Sequence, residues 1–118
     1  MNRTTIYGCG SVLPGQAVPT RDLLQEAHFD RLGYPLDAVE QLMGISHTRH
    51  APPGTKPGDL AIDAARIALE RSGVPAHKIG AAFYCGIDRD YVEPATMHRV
   101  AHEVGIKPGL CWDLSDAC

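Results

Sequence analysis

The sequence has no stripe of lysine and arginine residues and no long apolar run. Its 118 residues include 11 basic and 14 acidic side chains, so the formal net charge is -3. Nucleic acid and anionic lipid surfaces both require a positive patch that this composition does not supply. No stretch approaches the roughly 20 apolar residues of a membrane helix, and the opening residues lack the basic-then-apolar layout of a signal peptide. We therefore expect a cytoplasmic protein that binds neither nucleic acid nor a membrane.

Paired cysteine motifs are also missing. The four cysteines lie far apart and form no C-x-x-C pair, which argues against a zinc knuckle and a thioredoxin-type redox motif. Three of them, Cys9, Cys85 and Cys111, lie in strand-like segments, and we expect each to fill core space as a small reduced hydrophobe.

Two other partial motifs fall short of a site. Gly8 and Gly10 lack the remaining glycine of a dinucleotide fingerprint, so we expect no nucleotide cofactor. His98 and His102 are four residues apart but do not form H-E-x-x-H, and no third ligand is fixed. We interpret them as ordinary neighbours on a helix and expect no metal site.

The apolar pattern predicts strands alternating with helices. Thr20 is the expected N-cap of a short first helix, and the continuous apolar run at 79–86 predicts a strand buried on both faces. Trp112 is expected in the core. The predicted strands are 4–9, 79–86 and 110–114, and the other predicted helices are 36–43, 59–72 and 95–104. This order predicts an α/β domain with a largely parallel sheet. In such sheets reactive groups gather beyond the carboxyl ends of the strands, where residues 88–93 and 113–118 lie.

Several segments, taken in order, resemble the start of a known enzyme family. They are 6–14, the Gly44-Ile45 segment with Arg49 and Ala51, the helix and turn at 59–73, and the closing residues 112–118. Together they are similar to a thiolase-superfamily condensing enzyme of the ketoacyl-ACP synthase III type. The resemblance implies a thiolase-like layered α/β/α fold. Residues 1–118 would be the first part of its N-terminal half, incomplete without a further segment or a partner chain.

The same resemblance implies that Cys118 is the acyl-accepting nucleophile. Acyl transfer needs a thiolate that attacks a thioester and later leaves, and a helix N-terminus eases ionisation and supplies N–H groups for the oxyanion. A His and an Asn would come from the remaining synthase segment or a second polypeptide. Spacing alone favours an inert cysteine at this position. Asp116, close to the thiol, would raise its pKa.

Residues 88–96 resemble a loop of OleA-type enzymes, which join two acyl thioesters without decarboxylation. The resemblance implies a dimer in which Glu93 crosses the interface and removes the α-proton of the second acyl chain. The alternative is that Glu93 is simply a favourable charge at a helix start.

The carrier and the reaction type remain open at this point. The resemblance implies acyl thioester substrates carried by coenzyme A or an acyl carrier protein, and no bound cofactor. Ala38 and Leu42 stand where type III synthases commonly have a Trp and an Arg for the carrier's nucleotide end. Two alternatives to condensation are an acyltransferase on the same scaffold and a non-catalytic partner subunit.

Overall fold

A computed structural model describes residues 3–115 of the chain. Residues 3–12 and 54–115 form one compact unit, and residues 13–53 form a second. The strands are β1 (Ala17–Pro19), β2 (His47–Arg49), β3 (Ala81–Cys85) and β4 (Leu110–Leu114). The α-helices are α1 (Thr20–Glu26), α2 (Leu36–Met43), α3 (Pro57–Ser72) and α4 (Thr96–Val104), and short 3-10 turns cover Phe29–Leu32 and Ala76–Lys78.

The unit at 13–53 is a small antiparallel pair with two helices. Val18 of β1 lies opposite Thr48 of β2. Helix α2 confirms the prediction for residues 36–43. The expectation that Thr20 is an N-cap is wrong, because Thr20 is the first residue of α1 and its side chain makes no capping bond. Pro19 instead enters the helix with an extended backbone, so the helix begins one residue earlier than a Thr20 cap would allow.

The larger unit confirms the predicted α/β arrangement. Strands β3 and β4 are parallel, helix α4 packs on one face of them, and helix α3 packs against α4. The core draws on α3, β3, α4 and the turn after α4, through Ile62, Ala82, Met97, Val100, Ala101 and Ile106. Helix α3 begins at Pro57, whose fixed φ suits a first helical position, and ends at Gly73, whose φ of 64° is easiest for glycine.

Within residues 3–115, the opposite face of the two-stranded sheet is uncovered. We call it the open sheet face, and it consists of Ala81, Phe83, Cys85, Leu110, Trp112 and Leu114, all of them exposed. Phe83 packs edge-on against Trp112, with ring centroids 6.2 Å apart. The predictions that β3 is buried on both faces and that Trp112 is core are therefore wrong for this chain, since Trp112 is 55% exposed. A layered α/β/α fold covers both faces of its sheet, and within residues 3–115 only one face is covered.

The predicted strand at residues 4–9 is wrong, because the structure assigns no strand there. The segment instead lies against α3. A β-carbon on Gly8 would come within 2.7 Å of the Ala68 carbonyl oxygen, and one on Gly10 within 2.2 Å of the Ala64 carbonyl oxygen. Only glycine permits so close an approach to the helix backbone. Ile6 therefore does not share a sheet with Ala82 and Trp112 in the part of the chain that the structure describes.

Candidate active site at the carboxyl ends of strands β3 and β4

The exits of β3 and β4 lie side by side. Cys85, the last residue of β3, pairs with Leu114, the last residue of β4. The Gly86 N–H donates to the Leu114 carbonyl oxygen at 3.2 Å, and the Ser115 hydroxyl donates to the Gly86 carbonyl oxygen at 2.6 Å. The two segments that follow therefore leave the same edge of the sheet, as the sequence predicts for a parallel pair.

An open depression of about 580 Å³ lies at this edge. It is bounded by the first half of the β3–α4 loop and by the residue after β4, namely Ile87, Asp88, Arg89, Asp90, Tyr91, Val92 and Ser115. Residues from both strand exits thus line one surface. The depression therefore lies at the carboxyl ends of the strands, where reactive groups gather in parallel sheets.

Glu93 lies in the second half of the β3–α4 loop, three residues before α4 begins at Thr96. Its side chain is exposed, and the Glu93–Pro94 peptide is cis. The first turn of α4 contains no acidic residue. The hydrogen bonds at the start of α4 go to a carboxylate of another segment, and the role of Glu93 stays a prediction.

That carboxylate belongs to Asp113 of β4. Its two oxygens accept hydrogen bonds from the backbone N–H groups of Thr96 (2.7 Å) and Met97 (2.8 Å), the first residues of α4. These N–H groups have no partner within the helix, and the helix dipole favours a negative charge beside them. Asp113 therefore fixes the start of α4 to strand β4.

The β3–α4 loop is held to both helices through Asp90. The Asp90 side chain is fully buried, and its carboxylate accepts hydrogen bonds from the Gly58 N–H at 2.7 Å and from Arg99 at 2.5 Å. The backbone N–H of Asp90 donates to the hydroxyl of Thr96 at 3.1 Å. Burying a carboxylate is unfavourable unless it is paired and hydrogen-bonded, and here it is both.

Arg99 also pairs with Asp59 of α3, which joins the two helices. The hydrogen bond from Arg99 lowers the pKa of the Asp59 carboxyl, and the backbone N–H of Lys56 adds to the effect. The two carboxylates in turn raise the pKa of the Arg99 guanidinium, which stays charged. Lys56 contacts the Tyr91 hydroxyl and lies 4.0 Å from the centre of its ring, a cation–π distance.

The environment of β3 and β4 also perturbs two weak acids. Burial raises the pKa of Tyr84, with further contributions from Asp90, Asp113 and Asp88, and its hydroxyl donates to the Asp88 carbonyl oxygen at 2.8 Å. Burial and, to a lesser extent, Asp113 raise the pKa of the Cys111 thiol.

The predicted nucleophile Cys118 lies outside the described residues. Strand β4 ends at Leu114, four residues before it. Of the other cysteines, Cys9 and Cys85 are exposed and Cys111 is half-buried. The prediction that all three fill core space is therefore wrong for Cys9 and Cys85: Cys85 lies on the open sheet face and Cys9 in the segment that crosses α3.

His98 and His102 of α4 line a second depression together with Cys111 of β4. Within residues 3–115, no group of three or more His, Cys, Asp or Glu side chains is arranged to hold a metal ion. No helix in the same range has the length and apolar content needed to cross a membrane.

No local sequence pattern indicates that Asp90, Arg99 and Asp59 form a unit. Their contacts join positions 9 and 40 residues apart, which local periodicity does not reveal. Asp113 offered one signal, since a polar residue inside a short apolar strand calls for a partner. That signal did not identify α4 as the partner.

Comparison with known proteins relates this chain to one family. No family model matches the chain. An acyl-CoA:acyl-CoA alkyltransferase from Shewanella oneidensis is 35% identical over 91 residues, which cover 76% of this chain and 26% of that protein. A β-ketoacyl-[acyl-carrier-protein] synthase III from Rhodospirillum rubrum is 33% identical over 120 residues, which cover all of this chain and 35% of that protein.

Solved structures give the same result. Xanthomonas campestris OleA superposes with a TM-score of 0.80 at 26% identity, over 97% of this chain and 34% of OleA. FabH, the 3-oxoacyl-(acyl carrier protein) synthase III of Xanthomonas oryzae pv. oryzae, superposes with a TM-score of 0.79 at 29% identity, over 97% of this chain and 35% of FabH. The chain spans about a third of the length of the relatives it matches. It belongs to the thiolase superfamily, in the branch that contains ketoacyl-ACP synthase III and OleA.

Proposed function

We propose that this chain is part of an acyl-thioester condensing enzyme in which Cys118 accepts an acyl group and Glu93 acts as a base. The observation that carries the proposal is the parallel pairing of β3 with β4. Because of this pairing, the segment that leads to Glu93 and the segment that leads to Cys118 both begin at the same edge of the sheet.

The first step loads the enzyme. The Cys118 thiolate attacks the carbonyl carbon of an acyl thioester, the bond from that carbon to the carrier's sulfur breaks, and the carrier leaves as a thiol after taking up a proton. The acyl group is then bound to Cys118 as a new thioester. A base and an oxyanion hole are needed here, and we propose that a His and an Asn of the remaining fold supply them.

The second step forms the carbon–carbon bond. Glu93 removes a proton from the α-carbon of a second acyl thioester, and the resulting carbanion attacks the carbonyl carbon held on Cys118. The bond from that carbon to the Cys118 sulfur breaks, which restores the thiolate and releases a β-ketoacyl thioester. Glu93 then gives its proton to solvent. A reaction driven by loss of carbon dioxide would not need this base.

Two findings support these assignments. Two of the relatives are named acyl-CoA:acyl-CoA alkyltransferases, a name that describes a transfer between two acyl-CoA molecules. The OleA structures include variants in which a glutamate, a histidine or a cysteine is replaced, and that glutamate and cysteine lie 26 positions apart. Glu93 and Cys118 lie 25 positions apart.

The proposal extends to assembly and location. We propose a dimer in which Glu93 of one protomer faces the active cysteine of its partner, in keeping with the exposure of Glu93 in this chain. Coenzyme A or an acyl carrier protein would deliver the acyl groups, without a bound cofactor. A cytoplasmic location stays a prediction from the sequence.

Mass spectrometry after incubation with an acyl thioester tests the proposal. In the completed synthase, the mass of one acyl group should appear on the peptide that contains Cys118. Cys118→Ala should lose this mass, and Cys85→Ala and Cys111→Ala should keep it. A new carbon–carbon bond in the product would separate condensation from simple acyl transfer. Normal turnover by Cys118→Ala would show that another residue carries the acyl group, and absence of acyl loading in the wild type would favour a non-catalytic subunit.

A further inference from the structure

The β3–α4 loop, residues 86–95, is exposed along most of its length but contains one fully buried carboxylate. Asp88, Arg89, Tyr91 and Val92 all have exposed side chains, whereas the side chain of Asp90 is 0% exposed. A carboxylate is costly to bury. Its burial in an otherwise exposed loop therefore points to a specific function for its contacts.

These contacts reach two different helices. The Asp90 carboxylate accepts a hydrogen bond from the backbone of Gly58 in the first turn of α3 and pairs with Arg99 of α4. The backbone N–H of Asp90 donates to the hydroxyl of Thr96, which is 1% exposed. Three contacts, with Gly58, Arg99 and Thr96, therefore hold the loop at position 90.

Glu93 lies between two fixed points. Asp90 precedes it by three residues, and Thr96, whose backbone N–H is bonded to Asp113, follows it by three. With both ends of residues 91–95 held, the short chain between them has little freedom to move away from α4. Asp113 also lies in β4, five residues before Cys118, so the contacts run without a break from β4 to the segment that contains Glu93.

We propose that Asp90 is a positioning residue, which holds the Glu93 segment in a fixed place relative to helices α3 and α4 and so sets the point from which Glu93 reaches the active cysteine of the partner. This inference rests on the proposed roles of Glu93 and Cys118. Asp90 does not touch the reacting atoms. It acts through the backbone that presents Glu93, and a displacement of about 1 Å of a catalytic group can cost on the order of 100-fold in rate.

Hydrogen exchange of the chain tests the anchoring without any enzymatic assay. Asp90→Asn keeps an oxygen for the Gly58 N–H but loses the charge that pairs with Arg99. We expect the amides of Gly58 and of position 90, which donate to the Asp90 carboxylate and to the Thr96 hydroxyl, to exchange roughly ten-fold faster in this variant, while those of β3 keep their wild-type rates. Asp63→Asn is the matched control, because Asp63 pairs with Arg66 on the exposed side of α3. Unchanged exchange at Gly58 and position 90 in Asp90→Asn would overturn the proposal.

Kinetics of the completed synthase test the consequence for the reaction. In Asp90→Asn, acyl loading of Cys118 should stay within about two-fold of wild type, and condensation should fall by roughly 10- to 100-fold. An equal loss in both steps would overturn a positioning role, because it would indicate general damage to the fold. Arg99→Lys provides a second variant if Asp90→Asn does not fold, and normal condensation by Arg99→Lys would also count against the proposal. A wild-type synthase that forms no carbon–carbon bond would contradict the proposed function, whereas the exchange measurement would still decide the anchoring.

Discussion

Gly58 lies directly against the carboxylate of Asp90: a β-carbon at position 58 would be 2.3 Å from the nearer carboxylate oxygen. Gly58→Ala should therefore displace a buried carboxylate that Arg99 holds in place. We expect a loss of about 1–3 kcal/mol in the free energy of unfolding, the usual cost of overpacking. Urea unfolding followed by circular dichroism measures this.

The control for Gly58→Ala is Gly80→Ala. A β-carbon on Gly80 would meet nothing within 4 Å. Its effect should stay within about 0.5 kcal/mol, as for most substitutions that touch nothing. Equal stability of the two variants would show that the Asp90 carboxylate yields easily.

Asp113→Ala should destabilise the start of α4. The substitution leaves the N–H groups of Thr96 and Met97 without their acceptor, in a place where both residues are buried. Loss of a helix N-terminal acceptor costs typically about 0.5–2 kcal/mol. Asp113→Asn, which keeps one acceptor oxygen, should lose less than Asp113→Ala in the same urea titration. Asp22→Ala, at an exposed position in the first turn of α1, is the control. A larger loss in Asp22→Ala than in Asp113→Ala would contradict this account.

Acid should weaken the link between α3 and α4. The hydrogen bond from Arg99 lowers the pKa of Asp59 in the folded state. The ionised carboxylate therefore stabilises the folded state fully at a pH above 3.8, the ordinary pKa of this group. That stabilisation is lost as the pH falls through the lowered pKa that Asp59 has in the folded state. We expect the urea midpoint to drop as the pH falls from about 4 toward 2, and Asp59→Asn to show a shallower dependence there. The side chain is 42% exposed, so salt should reduce the effect. Parallel pH profiles for wild type and Asp59→Asn would contradict the assignment.

Trp112 offers a direct test of the open sheet face, because it is the single tryptophan of the chain. At 55% exposure, its fluorescence should be readily quenched by acrylamide in the isolated chain. Quenching should fall when the remaining part of the fold is added, since a layered fold covers both faces of its sheet. A tryptophan that is already protected in the isolated, monomeric chain would show that the face is covered by the chain itself.

Glu93→Gln separates the two proposed steps. The amide cannot take the α-proton but occupies the same volume, so acyl loading of Cys118 should be kept and condensation should fall by on the order of 100-fold or more. Single-turnover measurements on the completed synthase, with mass detection of the acyl-enzyme, distinguish these outcomes. Glu103→Gln, an exposed position on α4, is the control and should leave both steps unchanged. Full turnover by Glu93→Gln would remove Glu93 from the mechanism.

Elements with a strong local pattern were predictable from the sequence. Strand β4 has the predicted bounds, and α3 begins two residues before the predicted 59 and ends at the predicted 72. Their signals are contained in a few consecutive residues: a short, mostly apolar run for β4, and alanines at helical spacing with a glycine stop for α3. The segment at 4–9 was not predictable in this way, because a strand exists only when a neighbour pairs with it, and composition does not state where that neighbour is.

The candidate site also contains features that the sequence predicts and features that depend on distant residues. The meeting of the two strand exits followed from the predicted parallel sheet. The burial of Asp90 did not, since it depends on Gly58 and Arg99, which lie 32 residues before and 9 residues after it in the chain. Glu93 and Cys118 were selected by resemblance to a family rather than by spacing, and their roles stay predictions.

The hydrogen bonds of Asp113 also select one alignment of β4 against its neighbour. Asp113 lies opposite Tyr84, and successive side chains of a strand point to opposite faces. A slip of one residue would turn the carboxylate toward the open sheet face and leave the start of α4 without an acceptor. Two short parallel strands alone specify their register weakly. The contact between Asp113 and the start of α4 therefore penalises a wrong register even while the open sheet face is uncovered.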